Sequence, residues 1–167
     1  MDKAAYARVG NDYLPWCITA RQLFAASRIV QREREHIKAT LRPPCTAPDE
    51  FTFWVTPMLT AFGIECLIKA IWLKKGNQLA HDGKYIGMGE KEPSHQLVKL
   101  CERAGIALDP GEAVALQEIS DIATSLGRYP IAKRVENERR SISWPSVIVE
   151  NLIQKLKAQL RNTHATE

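Results

Sequence analysis

Between Thr56 and Gly76 lies a stretch, TPMLTAFGIECLIKAIWLKKG, that a fold can accommodate only at its centre. Thr56 has the side chain of an N-cap, and Pro57 follows at the first helical position, where the missing N–H is no loss. Lys74 and Lys75 suit a last turn, and Gly76 suits the C′ position beyond it. Between those signals Met58, Leu59, Phe62, Ile64, Leu67, Ile68, Ile71, Trp72 and Leu73 cover nearly every face. A helix apolar all round is a buried helix. Two charges interrupt it: Glu65 and Lys69, four residues apart and therefore on one face. A buried carboxylate requires a partner, and removing that partner typically costs about 3–5 kcal/mol. The functional question is what Glu65 pairs with.

A chain of 167 residues can bury a full core, so a single domain over 1–167 is expected. The net charge of +4 permits an anionic partner without requiring one. Cys17, Cys45, Cys66 and Cys101 are scattered with no CxxC pair, the pattern of free thiols in a reducing, cytoplasmic compartment. The opening MDKAAYARVGNDY has no apolar core, so no signal peptide is expected. A membrane span over 56–76 is not expected, since Glu65 and Lys69 are costly in lipid.

Along the chain, residues 1–13 form a short polar lead-in. The spacing of Trp16, Ala20, Leu23, Ser27 and Val30, with Phe24 and Ile29 beside them, predicts a helix from Leu14-Pro15-Trp16 to about Ala39. Its charged second half, with Arg32 and Arg34, reads as a solvated end, a phosphate-binding role being the alternative. Residues 40–55 hold Pro43, Pro44 and Pro48 and form a connection; its aromatic end, Phe51 to Val55, is expected over the core, a partner-contacting patch being the alternative. Residues 77–93 are expected as a mobile surface loop, and Gly87-Met88-Gly89 lacks the context of a phosphate loop. A third helix is predicted from Ser94 to Gly105. A fourth is predicted from Asp109-Pro110-Gly111-Glu112, a capping-box variant, to Gly127. Residues 131–143 are charged, and a fifth helix starts near Trp144 with the stripe Val149, Leu152, Ile153, Leu156 and Leu160. Five helices without alternating strands predict an all-α antiparallel bundle.

No metal-ligand spacing, cofactor fingerprint or nucleophile motif occurs, so neither metal nor cofactor is expected. What remains is Glu65, His95 at the start of the third helix, and Arg128-Tyr129 after the fourth. Arginine's rigid fork suits a buried carboxylate, so Arg128 is the expected partner of Glu65. In the bland form of that expectation the pair only fixes helix register, Lys69 snorkels to the surface, and His95 donates to a loop carbonyl.

The string Ala61-Phe62-Gly63-Ile64-Glu65-Cys66-Leu67-Ile68-Lys69-Ala70 resembles the second helix of HEPN-domain proteins. Ser94-His95-Gln96-Leu97-Val98-Lys99-Leu100 resembles the family's His-(Asp/Gln)-Leu-x-x-Leu helix start, and Arg128-Tyr129-Pro130 is similar to a segment of HEPN-like relatives. The resemblance spans roughly residues 57–130. It implies an antiparallel helical bundle, often a homodimer, tied to RNA or nucleotides, and in many members a metal-independent ribonuclease. Such a centre has an arginine, four to six residues, and a histidine, supported by an acid from another helix. Glu65 matches the acid and Arg128 the arginine, but Lys133, Arg134 and Val135 stand where the histidine belongs. Without an imidazole there, proton transfer near neutral pH lacks its usual carrier.

The leading expectation is therefore a non-catalytic HEPN-like module. It binds RNA or a nucleotide through Lys69, Arg128, Tyr129, Lys133, Arg134, Arg139 and Arg140, or binds a protein partner encoded nearby in a defence or toxin–antitoxin system. One alternative is a divergent ribonuclease using Glu65, Arg128 and His95. Another is a structural dimerisation domain without a ligand.

Overall fold

The structure, a computed structural model, describes residues 2–40, 54–89, 95–126 and 146–162. Six α-helices and one two-stranded hairpin occur among them: α1 (Lys3–Gly10), α2 (Tyr13–Thr40), α3 (Val55–Lys74), β1 (Ala80–His81), β2 (Lys84–Tyr85), α4 (Leu97–Arg103), α5 (Pro110–Asp121) and α6 (Ser146–Asn162). The all-α bundle expected from periodicity is the fold found. Helix α5 opens into a π turn over Ile122–Leu126.

Helix α3 is the rod at the centre. Ile64, Ile68 and Ala70 have no exposure, and Ala61, Leu67 and Ile71 have almost none. It is long and apolar enough to cross a membrane, yet two thirds of it is buried against its neighbours, as in a core helix. Its start differs from the sequence expectation. The helix begins at Val55 with Trp54 as N-cap and no side-chain cap, so Thr56 lies inside the first turn. Gly76 follows the C-cap Lys75 with φ +82°, as expected.

Contact register fixes helix direction. Phe24 meets Gly63, Ser27 meets Thr60, and Tyr13 lies under Lys74, so α2 runs antiparallel to α3. A Cβ on Gly63 would stand 2.5 Å from Phe24 Cε1, so the glycine is what lets the two helices close. His95 meets Glu65 and Lys75 binds the Ala104 carbonyl, so α4 runs with α3. The lysines at the α3 C-terminus act as clips: Lys74 Nζ donates to Leu160 O of α6, and Lys75 to Ala104 O.

The capping box at Asp109 is present in full, with Glu112 N to Asp109 Oδ1 at 2.8 Å and Asp109 N to Glu112 Oε2 at 2.9 Å. Helix α4 is shorter than predicted, starting at Leu97. It ends in a Schellman motif: Ile106 N donates to Cys101 O and Gly105 N to Glu102 O, with Gly105 at φ +62°. The α6 stripe is buried at Val149, Leu152, Ile153 and Leu156, and Leu160 packs at its edge. Ile29, expected on the core side of α2, is instead 66% exposed.

Two segments expected to lack regular structure are ordered. Residues 3–10 form α1, started by Asp2, whose Oδ1 accepts from Ala5 N. Residues 80–85 form the hairpin, with Asp82 (φ +46°) and Gly83 (φ +75°) in the turn. Two positive φ angles are what a tight two-residue hairpin loop needs, and Asp-Gly supplies them. Asn11 joins the two: its Oδ1 accepts from Leu79 N and Ala80 N, and its Nδ2 donates to Ala80 O.

Candidate functional site

Glu65 sits mid-way along α3, only 8% exposed, and both carboxylate oxygens are engaged. Lys69 Nζ donates to Oε1 at 2.6 Å, and His95 Nδ1 lies 2.7 Å from Oε2. Lys69 is the natural helical partner one turn on, but it does not snorkel; it is 6% exposed. The expectation that it reaches the surface is thus corrected. The reason is local: its Nζ stands 5.4 Å from the Trp16 ring centroid and 5.3 Å from that of Tyr85. A carboxylate on one side and two aromatic faces on the others replace water around the ammonium.

Three elements build this cage. Trp16 comes from α2 and is aimed by its Nε1–H, which donates to Gly10 O at 3.2 Å. Tyr85 comes from β2, and its ring stands 6.4 Å from that of Trp16. Because Asn11 ties the hairpin to the α1–α2 corner, the two rings are set by one joint.

His95 arrives from the residues before α4 rather than from its first turn. Its backbone is left-handed, φ +61°, so it cannot begin the helix. Such a conformation in a non-glycine residue costs on the order of 1–3 kcal/mol and persists only where the surroundings fix it. Here the surroundings are the Glu65 carboxylate, the Phe62 ring packed edge-on at 5.3 Å, and the α4 start, where Leu97 N donates to Ser120 Oγ at 3.1 Å. The expected bond from His95 to a loop carbonyl is replaced by the bond to Glu65. With Glu65 as a carboxylate, Nδ1 carries the proton, and Nε2 lies on the side of the ring away from the acid. The imidazole side chain is 28% exposed.

Of the site residues expected from sequence, the structure brings Glu65, Lys69 and His95 together. Arg128, Tyr129, Lys133, Arg134, Arg139 and Arg140 lie outside the described residues, as do Ser94, Cys45 and Phe51–Phe53. Sequence reasoning missed Trp16 and Tyr85 as wall residues. It also missed a second buried acid, Glu112, which pairs with Lys155 of α6 at 2.6 Å. Cysteine chemistry is not favoured: burial, helped by the Glu65 charge, pushes the Cys66 thiol up to about 11, and burial, helped by Glu112, pushes Cys101 up to about 12. Among the described residues no group of three or more acids, histidines and cysteines gathers to hold a metal. No family model, curated protein or solved structure matches the chain.

Proposed function

We propose that the chain is a HEPN-like helical module that binds RNA or a nucleotide and does not cleave it. It works in the cytoplasm as a homodimer or beside a protein partner. The observation that carries this reading is the closed pairing of Glu65. One oxygen is held by Lys69 and the other by His95, so the acid acts as a scaffold for the His95 segment. The binding surface in this reading is the stretch 128–140, with Arg128, Lys133, Arg134, Arg139 and Arg140 against Glu136 and Glu138. Leu14, Ile18 and Ile29, exposed at helical spacing on α2, support a second copy as partner. The test is RNA affinity against salt for wild type and an Arg139→Ala/Arg140→Ala variant. Loss of two phosphate contacts reduces the salt slope by about 1.4 for single strands. An unchanged affinity and slope removes the RNA claim.

One observation favours a second reading, a divergent metal-independent ribonuclease. A carboxylate 2.7 Å from Nδ1 orients an imidazole as it does in acid–base dyads. In this reading His95 transfers the proton and Arg128 stabilises the phosphorane charge. Labelled RNA incubated with wild type, His95→Ala and Arg128→Ala decides it. Cleavage lost in both variants supports the enzyme, and cleavage retained in both excludes these roles.

A further inference from the structure

A groove runs between α2 and α6 with the first turns of α3 as its floor. It holds a cavity of about 400 Å³, and a second of about 460 Å³ continues along α2 toward Ile18. Both are walled by Phe24, Arg28 and Lys157. The size is that of small-ligand sites.

Three observations give this groove a chemistry. The first is charge. Arg28 and Lys157 stand at the junction of the two cavities, Arg21 lines the second, and Arg161 adds to the field at Lys157. Burial, then Arg28, Arg161 and Arg21, lower the Lys157 pKa, and among the described residues Glu150 is the carboxylate opposing them there. Like charges gathered at a concave surface are destabilising until an anion joins them. Lys157 also stands 5.6 Å from the Phe24 ring centroid, which holds its ammonium at the junction.

The second is an orphan hydroxyl. Thr56 is 6% exposed and lines the floor of the first cavity, and its Oγ1, turned inward away from solvent, has no hydrogen-bond partner among the described residues. The neighbouring hydroxyls are satisfied: Thr60 Oγ1 donates to the Thr56 carbonyl at 2.9 Å, and Ser27 Oγ donates to Thr60 Oγ1 at 2.9 Å. A buried unpaired hydroxyl costs about 1–3 kcal/mol, so the site is incomplete as it stands. The third is the mixed lining, with apolar Val149 and Ile153 beside the amides of Gln31 and Gln154. That wall accepts an organic body as well as a charge.

We infer that this groove binds an organic phosphate monoester. Its phosphate lies between Arg28, Lys157 and Arg21, and its organic body lies over the α3 floor, where the Thr56 side chain turns its Oγ1 from its buried position to a polar group of the ligand. Guanidinium and ammonium groups lining one groove from two helices suit a phosphate's several oxygens, whereas an apolar peptide would leave these charges and the hydroxyl unpaired. The inference stands apart from the RNA reading, which uses residues 128–140.

The test is calorimetric titration of the full chain with adenosine 5′-monophosphate, glucose 6-phosphate and inorganic phosphate. At least one ester binds, and more tightly than inorganic phosphate. Arg28→Gln and Lys157→Gln each weaken the ester about tenfold, the loss of one charge-assisted hydrogen bond. Thr56→Val weakens the ester several-fold and leaves inorganic phosphate unchanged. Circular dichroism of each variant confirms the helical fold. No binding of either ester at about 5 mM, or equal binding by wild type and both charge variants, overturns the inference. Binding lost in Arg139→Ala/Arg140→Ala but kept in the groove variants moves the site to the basic stretch, which sinks the groove and leaves the RNA reading standing.

Discussion

His95 Nδ1 lies 2.7 Å from Glu65 Oε2, across thirty positions of sequence, and His95 pays for that contact with a backbone φ of +61°. A contact made through a strained residue is one the surrounding fold enforces. The Leu97–Ser120 bond just beyond it holds the same segment from the other side. The Lys69–Glu65–His95 chain is therefore a joint between α3 and α4.

Replacing Lys69 by methionine should destabilise the fold by about 3–5 kcal/mol, because it leaves Glu65 buried without its cation. The double change Glu65→Leu/Lys69→Met removes both charges and should cost much less than the single one. Urea denaturation of the three proteins checks this. Equal losses for the single and double variants would mean the pair contributes through packing alone.

Gly63→Ala puts a methyl group 2.5 Å from the Phe24 ring. Overpacking of this kind costs about 1–3 kcal/mol. A thermal melt should show a drop of several degrees, and Gly63→Ala/Phe24→Leu should recover part of it.

Thr56→Val removes a buried hydroxyl that bonds nothing among the described residues. The unliganded protein should gain about 1 kcal/mol, or about 3 °C in Tm for a chain of this size. A loss would show that the hydroxyl is satisfied in solution.

Cys66 and Cys101 titrate near 11 and 12, raised from 9.0 chiefly by burial. The folded state therefore holds these protons where the unfolded chain has released them. Stability should be unaffected by these thiols below pH 9 and should fall as pH rises from about 9 through 11. Chemical denaturation across that range, with Cys66→Ala/Cys101→Ala as control, isolates the effect. Native-state alkylation of both thiols near pH 8 should be slow, as read by peptide mass mapping.

Much of this was legible in the chain, and the exceptions have physical causes. The apolar run of α3 marked the central helix, and Asp109-Pro110-Gly111-Glu112 marked a capping box that is present atom for atom. Each rests on local spacing. Snorkelling is the default for a lysine, so spacing alone sends Lys69 to the surface. Only the tertiary arrival of Trp16 and Tyr85 keeps it inside. The helix formers that follow His95 predict a helix through it, and nothing local announces a left-handed histidine. The hairpin was readable: Asp82-Gly83 between short apolar flanks is a turn signal that the glycine-rich surroundings obscured. Thr56 has the chemistry of a cap, but α3 starts two residues earlier at its Trp54 cap, leaving the hydroxyl inside.

The joint at Glu65 is tested most directly by a double-mutant cycle. Glu65→Gln, His95→Asn and the double variant are unfolded in denaturant beside wild type. A coupling of about 1–3 kcal/mol between the two positions is expected for groups in direct contact. Additive losses, within about 0.3–0.5 kcal/mol, would show that Glu65 and His95 do not act on one another, and the scaffold role assigned to the acid would fall.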